Sequence, residues 1–268
     1  MKIKKFIYNH IVPLIGRLFS RPTKIPIIYY HNIVEDGQGY SFMHTNLSIF
    51  EKHMKYLATN KYKTYKFDGL PKKFAKKLNS KEIIIAFDDG FLSNYTIVFP
   101  LMKKLGLKFN IFLTVENIEE KKENYINWDI VNEMYKSKIV GFGAHTYTHI
   151  DARNITDSNY DREITETNSL IKKYTNNNVN DFCFPYGYYN DEIIEKLCRD
   201  RIYKRIYTSD KIKLKIINNC EVVGRTGIST EYDVDMFKKN VKGFYNIMYY
   251  YRIIISTRTL FRKIFKMA

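Results

Sequence analysis

The stretch Lys81 to Tyr95, reading KEIIIAFDDGFLSNY, constrains this chain more than any other. Three isoleucines run through Ala86 and Phe87 into two adjacent carboxylates, Asp88 and Asp89, and Gly90 follows. An apolar run of this length reads as a buried strand, and its abrupt end delivers charge to a barrel rim or to the edge of an open sheet. Carboxylates buried there without partners would be very costly. A metal cation answers that problem, provided that other side chains of the chain share it.

The surrounding pattern is that of a parallel α/β fold. Strands are expected at Ile27 to Tyr30, weakly at Lys61 to Phe67, and at Ile83 to Phe87, Phe109 to Leu113 and Ile139 to Ala144. Further strands are expected at Phe182 to Phe184, Arg205 to Tyr207 and Glu221 to Gly224. Helices are expected from Ser48, with Glu51 completing a capping box, and at Tyr95 to Leu105, Trp128 to Tyr135, Asp161 to Tyr174 and Asp191 to Cys198. Val34 to Ser48 reads as a loop. Repeated strand–helix units favour parallel pairing. Seven or eight strands would close a barrel, and an open doubly wound sheet is the competing architecture.

The 268 residues suffice for one large core. Cys183, Cys198 and Cys220 have no CxxC spacing, which argues against a disulfide framework or a structural zinc site. Charge divides the chain into a basic apolar segment 1–24, a body 25–237 and a basic aromatic helix 238–268. The first segment carries +6 and the last +8, so the ends supply 14 of the net +16. The body is therefore no basic platform, and no nucleic-acid partner is expected. Basic, apolar ends suit an anionic membrane surface, while packing of the C-terminal helix on the barrel is the plainer reading. Neither end offers about 18 uninterrupted apolar residues, so neither is expected to span a bilayer. A cytoplasmic location, or a peripheral one on the cytoplasmic face of the membrane, is favoured over secretion or the cell surface.

His145 and His149, in GFGAHTYTHID, form the closest histidine pair and follow a glycine-containing strand. Four residues apart, they share a side if the segment between them makes a helical turn. With one carboxylate they make a His₂Asp set that leaves coordination room for water, and Asp89 is the expected third ligand. Such a set suits zinc better than magnesium or calcium, with other first-row metals still open.

Together, FDDG at Phe87 to Gly90, HTYTH at His145 to His149 and FPYG at Phe184 to Gly187 resemble the polysaccharide deacetylase family, also called the NodB-homology domain or family 4 carbohydrate esterases. The resemblance spans roughly Pro26 to Ile228. IIYYHNI, at Ile27 to Ile33, resembles the opening of the exopolysaccharide N-deacetylase branch. It implies a distorted (β/α) barrel of seven or eight strands that removes N-acetyl groups from a polysaccharide or membrane-associated glycan with a divalent metal. It makes Asp89, His145 and His149 the metal ligands, Asp88 the catalytic base, and the Tyr186 backbone N–H a donor to the oxyanion. Alternatives are a deformylase or deacetylase of a lipid-linked sugar, and a metal-containing glycan-binding protein without turnover.

Two positions depart from the family pattern. Cys183 stands where the family often has an arginine that orients the base; Arg225 is the candidate to supply that charge from another direction. No histidine follows His149, although many members use a late one to return a proton. His31, at the end of the first strand, is the candidate here, with protonated Asp88 as the alternative. Of the other histidines, His10 is expected to be interfacial, His44 a loop residue and His53 structural or exposed. Tyr40 and Phe42 could stack on sugar, and Trp128 is expected to anchor its helix.

Overall fold

The computed structural model describes residues 25–38, 41, 43–70, 81–210 and 214–242. The expectations for segment 1–24 with His10, for Tyr40 and Phe42, and for residues beyond 242 lie outside the described residues. Among the described residues no helix is long and apolar enough to cross a membrane.

Six parallel strands lie side by side in chain order: β1 (Ile27–Tyr30), β2 (Glu82–Phe87), β3 (Phe109–Leu113), β4 (Val140–Ala144), β5 (Asp181–Cys183) and β6 (Arg205–Thr208). The next, β7 (Cys220–Gly224), pairs in parallel with β6. After Arg225 the chain continues as Thr226–Gly227, which pairs in parallel with β1. Arg225 donates its backbone N–H to the Thr208 carbonyl at 2.9 Å, and Ile228 donates to the Tyr29 carbonyl at 2.9 Å. One strand therefore changes partner at Arg225 and closes the sheet into a distorted barrel. Leu214–Ile217 adds an antiparallel strand outside β7.

The pleat sorts each strand's side chains between two cores, because neighbouring residues face opposite sides. Ile83, Ile85 and Phe87 of β2 join the outer core with Phe50, Met54, Leu57 and Met102 of the flanking helices. Ile84 and Ala86 face the barrel interior with Ile27, Tyr29, Phe112, Cys183, Tyr207 and Val223. Extending that alternation upward brings His31, Asp88, His145 and Arg225 inward at the carboxyl ends of their strands. Lower down, Asn110 donates to the carbonyls of Tyr65 and Ile85, and its Oδ1 accepts from the Phe67 N–H. Arg205 pairs with Asp181 at 2.5 and 2.7 Å. The floor is thus a packed polar layer, and the chemistry is left to the upper rim.

Several local expectations are corrected. The first long helix spans Leu47–Thr59 with Asn46 as its N-cap, so Ser48 lies inside its first turn, and the Ser48 N–H is taken by Asp36 Oδ1 at 3.1 Å. Its buried face is Phe50, His53, Met54 and Leu57. The weak strand at Lys61 to Phe67 shrinks to Lys63–Thr64 beside β2, because Phe67–Gly69 turns into a 3₁₀ segment. The expected loop Val34 to Ser48 contains a short strand, His44–Asn46, which pairs in parallel with Asn32–Val34. The helix expected at Tyr95 to Leu105 opens with a π-helical turn, Asn94–Val98, before Phe99–Leu105. That at Asp161 to Tyr174 begins earlier, at Asp157, under a capping box from Thr156 and Asn159. A helix at Val234–Val241, capped by Asp233, crosses the expected boundary after residue 237.

Candidate metal centre and active site

Asp88 continues the β2 pleat into the barrel and is 3% exposed. Asp89 would face the opposite way in a regular strand. Instead its φ is 72° and that of Gly90 is 78°, a left-handed pair that swings the second carboxylate over the same opening. Both acids thereby serve one site although they are adjacent in sequence.

His145 follows β4, where Gly141 and Gly143 face the interior; a Cβ on Gly143 would stand 2.7 Å from the Phe112 ring. Absence of a side chain lets the strand approach the interior ring closely. Between His145 and His149 the chain makes no helical turn, contrary to expectation. Thr146 and His149 both have φ of 61°, and this left-handed loop, rather than helical periodicity, turns the second imidazole back. The two rings stand 5.0 Å apart.

Asp89 Oδ1 lies 3.1 Å from His149 Nε2 and 3.5 Å from His145 Nε2. It is buried and accepts no hydrogen bond. His145 Nδ1 is 2.8 Å from the Cys183 carbonyl. A carbonyl only accepts, so the ring proton sits on Nδ1 and Nε2 presents a lone pair to Asp89. Burial lowers the imidazole pKa to about 4, which keeps the ring neutral near pH 7. A lone pair and a carboxylate oxygen therefore face each other in a closed space. A cation between them resolves the conflict, and Asp89, His145 and His149 are close enough to share one. These residues fit a divalent metal.

A second group, Asp88, His145 and Cys183, also lies within range of a shared ion. There, however, a cation is already supplied. Arg225 donates to Asp88 Oδ1 at 2.7 Å and to Oδ2 at 2.8 Å, and its Nη2 lies 2.7 Å from Cys183 Sγ. Its guanidinium stacks over Tyr29 at 4.1 Å and Phe112 at 5.1 Å. Burial pushes the Asp88 carboxyl upward, but the Arg225 charge and hydrogen bonds more than offset this and leave it at about 2. Burial also pushes the Cys183 thiol well up, so it stays protonated. Of the two groups, the one built on Asp89 is the one that no arginine already neutralises.

His31 Nε2 lies 4.0 Å from Asp88 Oδ2, and Asn94 holds the His31 carbonyl at 3.1 Å. Tyr186 has φ of 58° inside the turn Pro185–Gly187; its exposed ring meets His149 at 4.6 Å. All seven expected site residues, Asp88, Asp89, His31, His145, His149, Tyr186 and Arg225, thus lie around one opening. The other described histidines, His44 and His53, belong to structural elements instead. His44 lies in a short strand. His53 is buried, bonded to the Tyr30 hydroxyl at 3.0 Å and the Tyr232 carbonyl at 2.7 Å. Trp128 stacks on Tyr174 at 4.3 Å, as an anchor would. Sequence reasoning missed Asn94 and Glu163, whose contacts run mainly to backbone groups and leave no motif; Glu163 accepts from the N–H groups of Tyr147 and Thr148 and from the Thr148 hydroxyl.

A family model described as polysaccharide deacetylase matches residues 75–200. YxkH of Bacillus subtilis (strain 168), provisionally named a polysaccharide deacetylase, is 30% identical over 178 residues, 66% of this chain and 61% of YxkH. The poly-beta-1,6-N-acetyl-D-glucosamine N-deacetylase of Escherichia coli (strain K12) is 24% identical over 164 residues, 56% of this chain and 23% of that protein. The chain thus spans less than two thirds of either relative. The solved structure of IcaB from Ammonifex degensii shares the fold, with a TM-score of 0.69 at 20% identity over 84% of this chain and 98% of that one.

Proposed function

Because this chain belongs to the polysaccharide deacetylase family, we propose that it is a metal-dependent hydrolase removing N-acetyl groups from a polysaccharide or membrane-associated glycan. The observation that carries the reading is the buried Asp89 oxygen facing the His145 lone pair, beside a second carboxylate held ionised by Arg225. A divalent cation on Asp89, His145 and His149, zinc being the best match to two imidazoles and a carboxylate, would supply Lewis acidity to water and to the amide carbonyl.

The remaining steps belong to the chain. Asp88 accepts the proton of the attacking water, and the Arg225 fork fixes which way its oxygens point. The Tyr186 backbone N–H donates to the oxygen that gains charge, a contact of the kind that contributes about 3 kcal/mol. His31, 4.0 Å from Asp88, returns a proton to the leaving nitrogen. The amide C–N bond breaks and free amine and acetate leave. The E. coli relative's named substrate makes N-acetylhexosamine polymers the first class to try.

The test is acyl release from defined N-acetylated glycans after metal replacement, with mass spectrometry of the sugar and acid products. Acetate from a polymer or oligomer supports the reading. Formate, or release only from a lipid-linked sugar, would favour the deformylase alternative. Metal-replete binding with no product would favour a glycan-binding protein.

A further inference from the structure

Two of the residues proposed as ligands are held differently. His145 leaves β4 with its N–H on the Leu113 carbonyl at 2.9 Å and its ring on Cys183. His149 instead arrives at the end of a loop containing two left-handed residues, itself one of them. Left-handed backbone at a residue other than glycine persists only where the surroundings enforce it.

One buried carboxylate does so. Glu163 is 3% exposed, in the π-helical turn Asp161–Glu166 packed under the loop. Its Oε2 accepts the N–H groups of Tyr147 at 3.0 Å and Thr148 at 3.1 Å, and its Oε1 accepts the Thr148 hydroxyl at 2.8 Å. From the other side Glu116 donates its N–H to the Tyr147 carbonyl at 2.8 Å. Glu163 makes no ion pair with a basic side chain among the described residues; the adjacent Arg162 instead faces Glu116 and stacks on Tyr147. A carboxyl group buried against two amides and a hydroxyl is costly unless those contacts are kept, so it enforces one loop conformation.

We infer that Glu163 is a positioning residue for the metal site, presetting the loop that aims His149 at Asp89. The inference rests on the assignment of Asp89, His145 and His149 as ligands. It concerns how tightly a metal would be held, with Glu163 acting through its contacts to Tyr147 and Thr148.

The test uses the full chain stripped of metal, with Co²⁺ and Zn²⁺ affinities measured by chelator competition, Co²⁺ absorption spectra, and thermal midpoints of the apo forms. Glu163→Gln retains the geometry, since its amide oxygen can accept both N–H groups while its NH₂ donates to Thr148 Oγ1. It is expected within about threefold of the native affinity, whereas Glu163→Ala is expected to weaken binding roughly 10- to 100-fold and to alter the Co²⁺ spectrum. An alanine variant with a lowered apo midpoint but native affinity and spectrum would overturn the inference. If that variant does not fold, Thr148→Val serves instead: weakening by a few-fold supports the inference, and native affinity overturns it. A native chain that binds neither ion would sink the ligand assignment itself, whereas native binding retained in both variants sinks only the role of Glu163.

Discussion

Arg225 reaches Asp88 from the strand that closes the barrel, 137 positions along the chain, through two hydrogen bonds of 2.7 and 2.8 Å. The guanidinium occupies space beside Cys183, where a longer residue would collide with it. In sequence the charge is displaced to another strand, while in space it remains on the base. Replacing Arg225 with alanine leaves the buried Asp88 without its two-pronged cationic partner, so a loss of about 3–5 kcal/mol is expected in denaturation experiments. Arg225→Lys retains charge without the two-pronged geometry, and should fold better than the alanine variant yet lose at least tenfold in kcat/KM. Cys183→Arg in the native background sets two cations on one carboxylate and should destabilise rather than restore.

The metal-free site stores a conflict between Asp89 Oδ1 and His145 Nε2. Asp89→Asn replaces one acceptor by a donor. The apo form of this variant should melt at or above the native apo form, while losing most of the native chain's metal-induced rise in melting temperature. For the native chain that rise corresponds to about 2.7 kcal/mol at a metal concentration 100 times the dissociation constant. A native apo form clearly more stable than apo Asp89→Asn would count against the cation site.

His31 offers a test of proton return. His31→Gln should retain metal content and KM while lowering kcat, with altered limbs of the pH–rate profile. An unchanged rate and profile would leave protonated Asp88 as the donor.

His53 makes a stability prediction far from the chemistry. Buried between Tyr30 and the Tyr232 carbonyl and stacked on Phe237 at 4.1 Å, it ties the first barrel strand to the helix Val234–Val241. Burial lowers its pKa from 6.5 to about 4. The unfolded chain therefore takes up a proton between those values that the folded chain refuses. Its contribution is complete above pH 6.5 and declines as pH falls towards 4, by on the order of 3 kcal/mol in all. His53→Gln should show a flatter dependence of denaturation midpoint on pH over that window. Saturating metal in both proteins keeps the His145 titration out of the difference.

The sequence by itself determined which residue types end the strands. The apolar runs stop at His31, at Asp88 and at His145, and period-two alternation commits those side chains to the interior once the strands are parallel. It also determined that His₂Asp chemistry was available, because two imidazoles and paired carboxylates are local patterns. Only the tertiary structure decided the rest. Asp89 joins Asp88 because a left-handed backbone breaks the pleat, and His149 joins His145 through a loop clamped by Glu163 rather than a helical turn. Arg225 could be suspected, but its partner depends on a single residue at which the closing strand exchanges β6 for β1. Alternation along a strand is a short-range steric rule that residues announce for themselves, whereas closure depends on hydrogen bonds between segments far apart in the chain, and these form only when the whole sheet comes together.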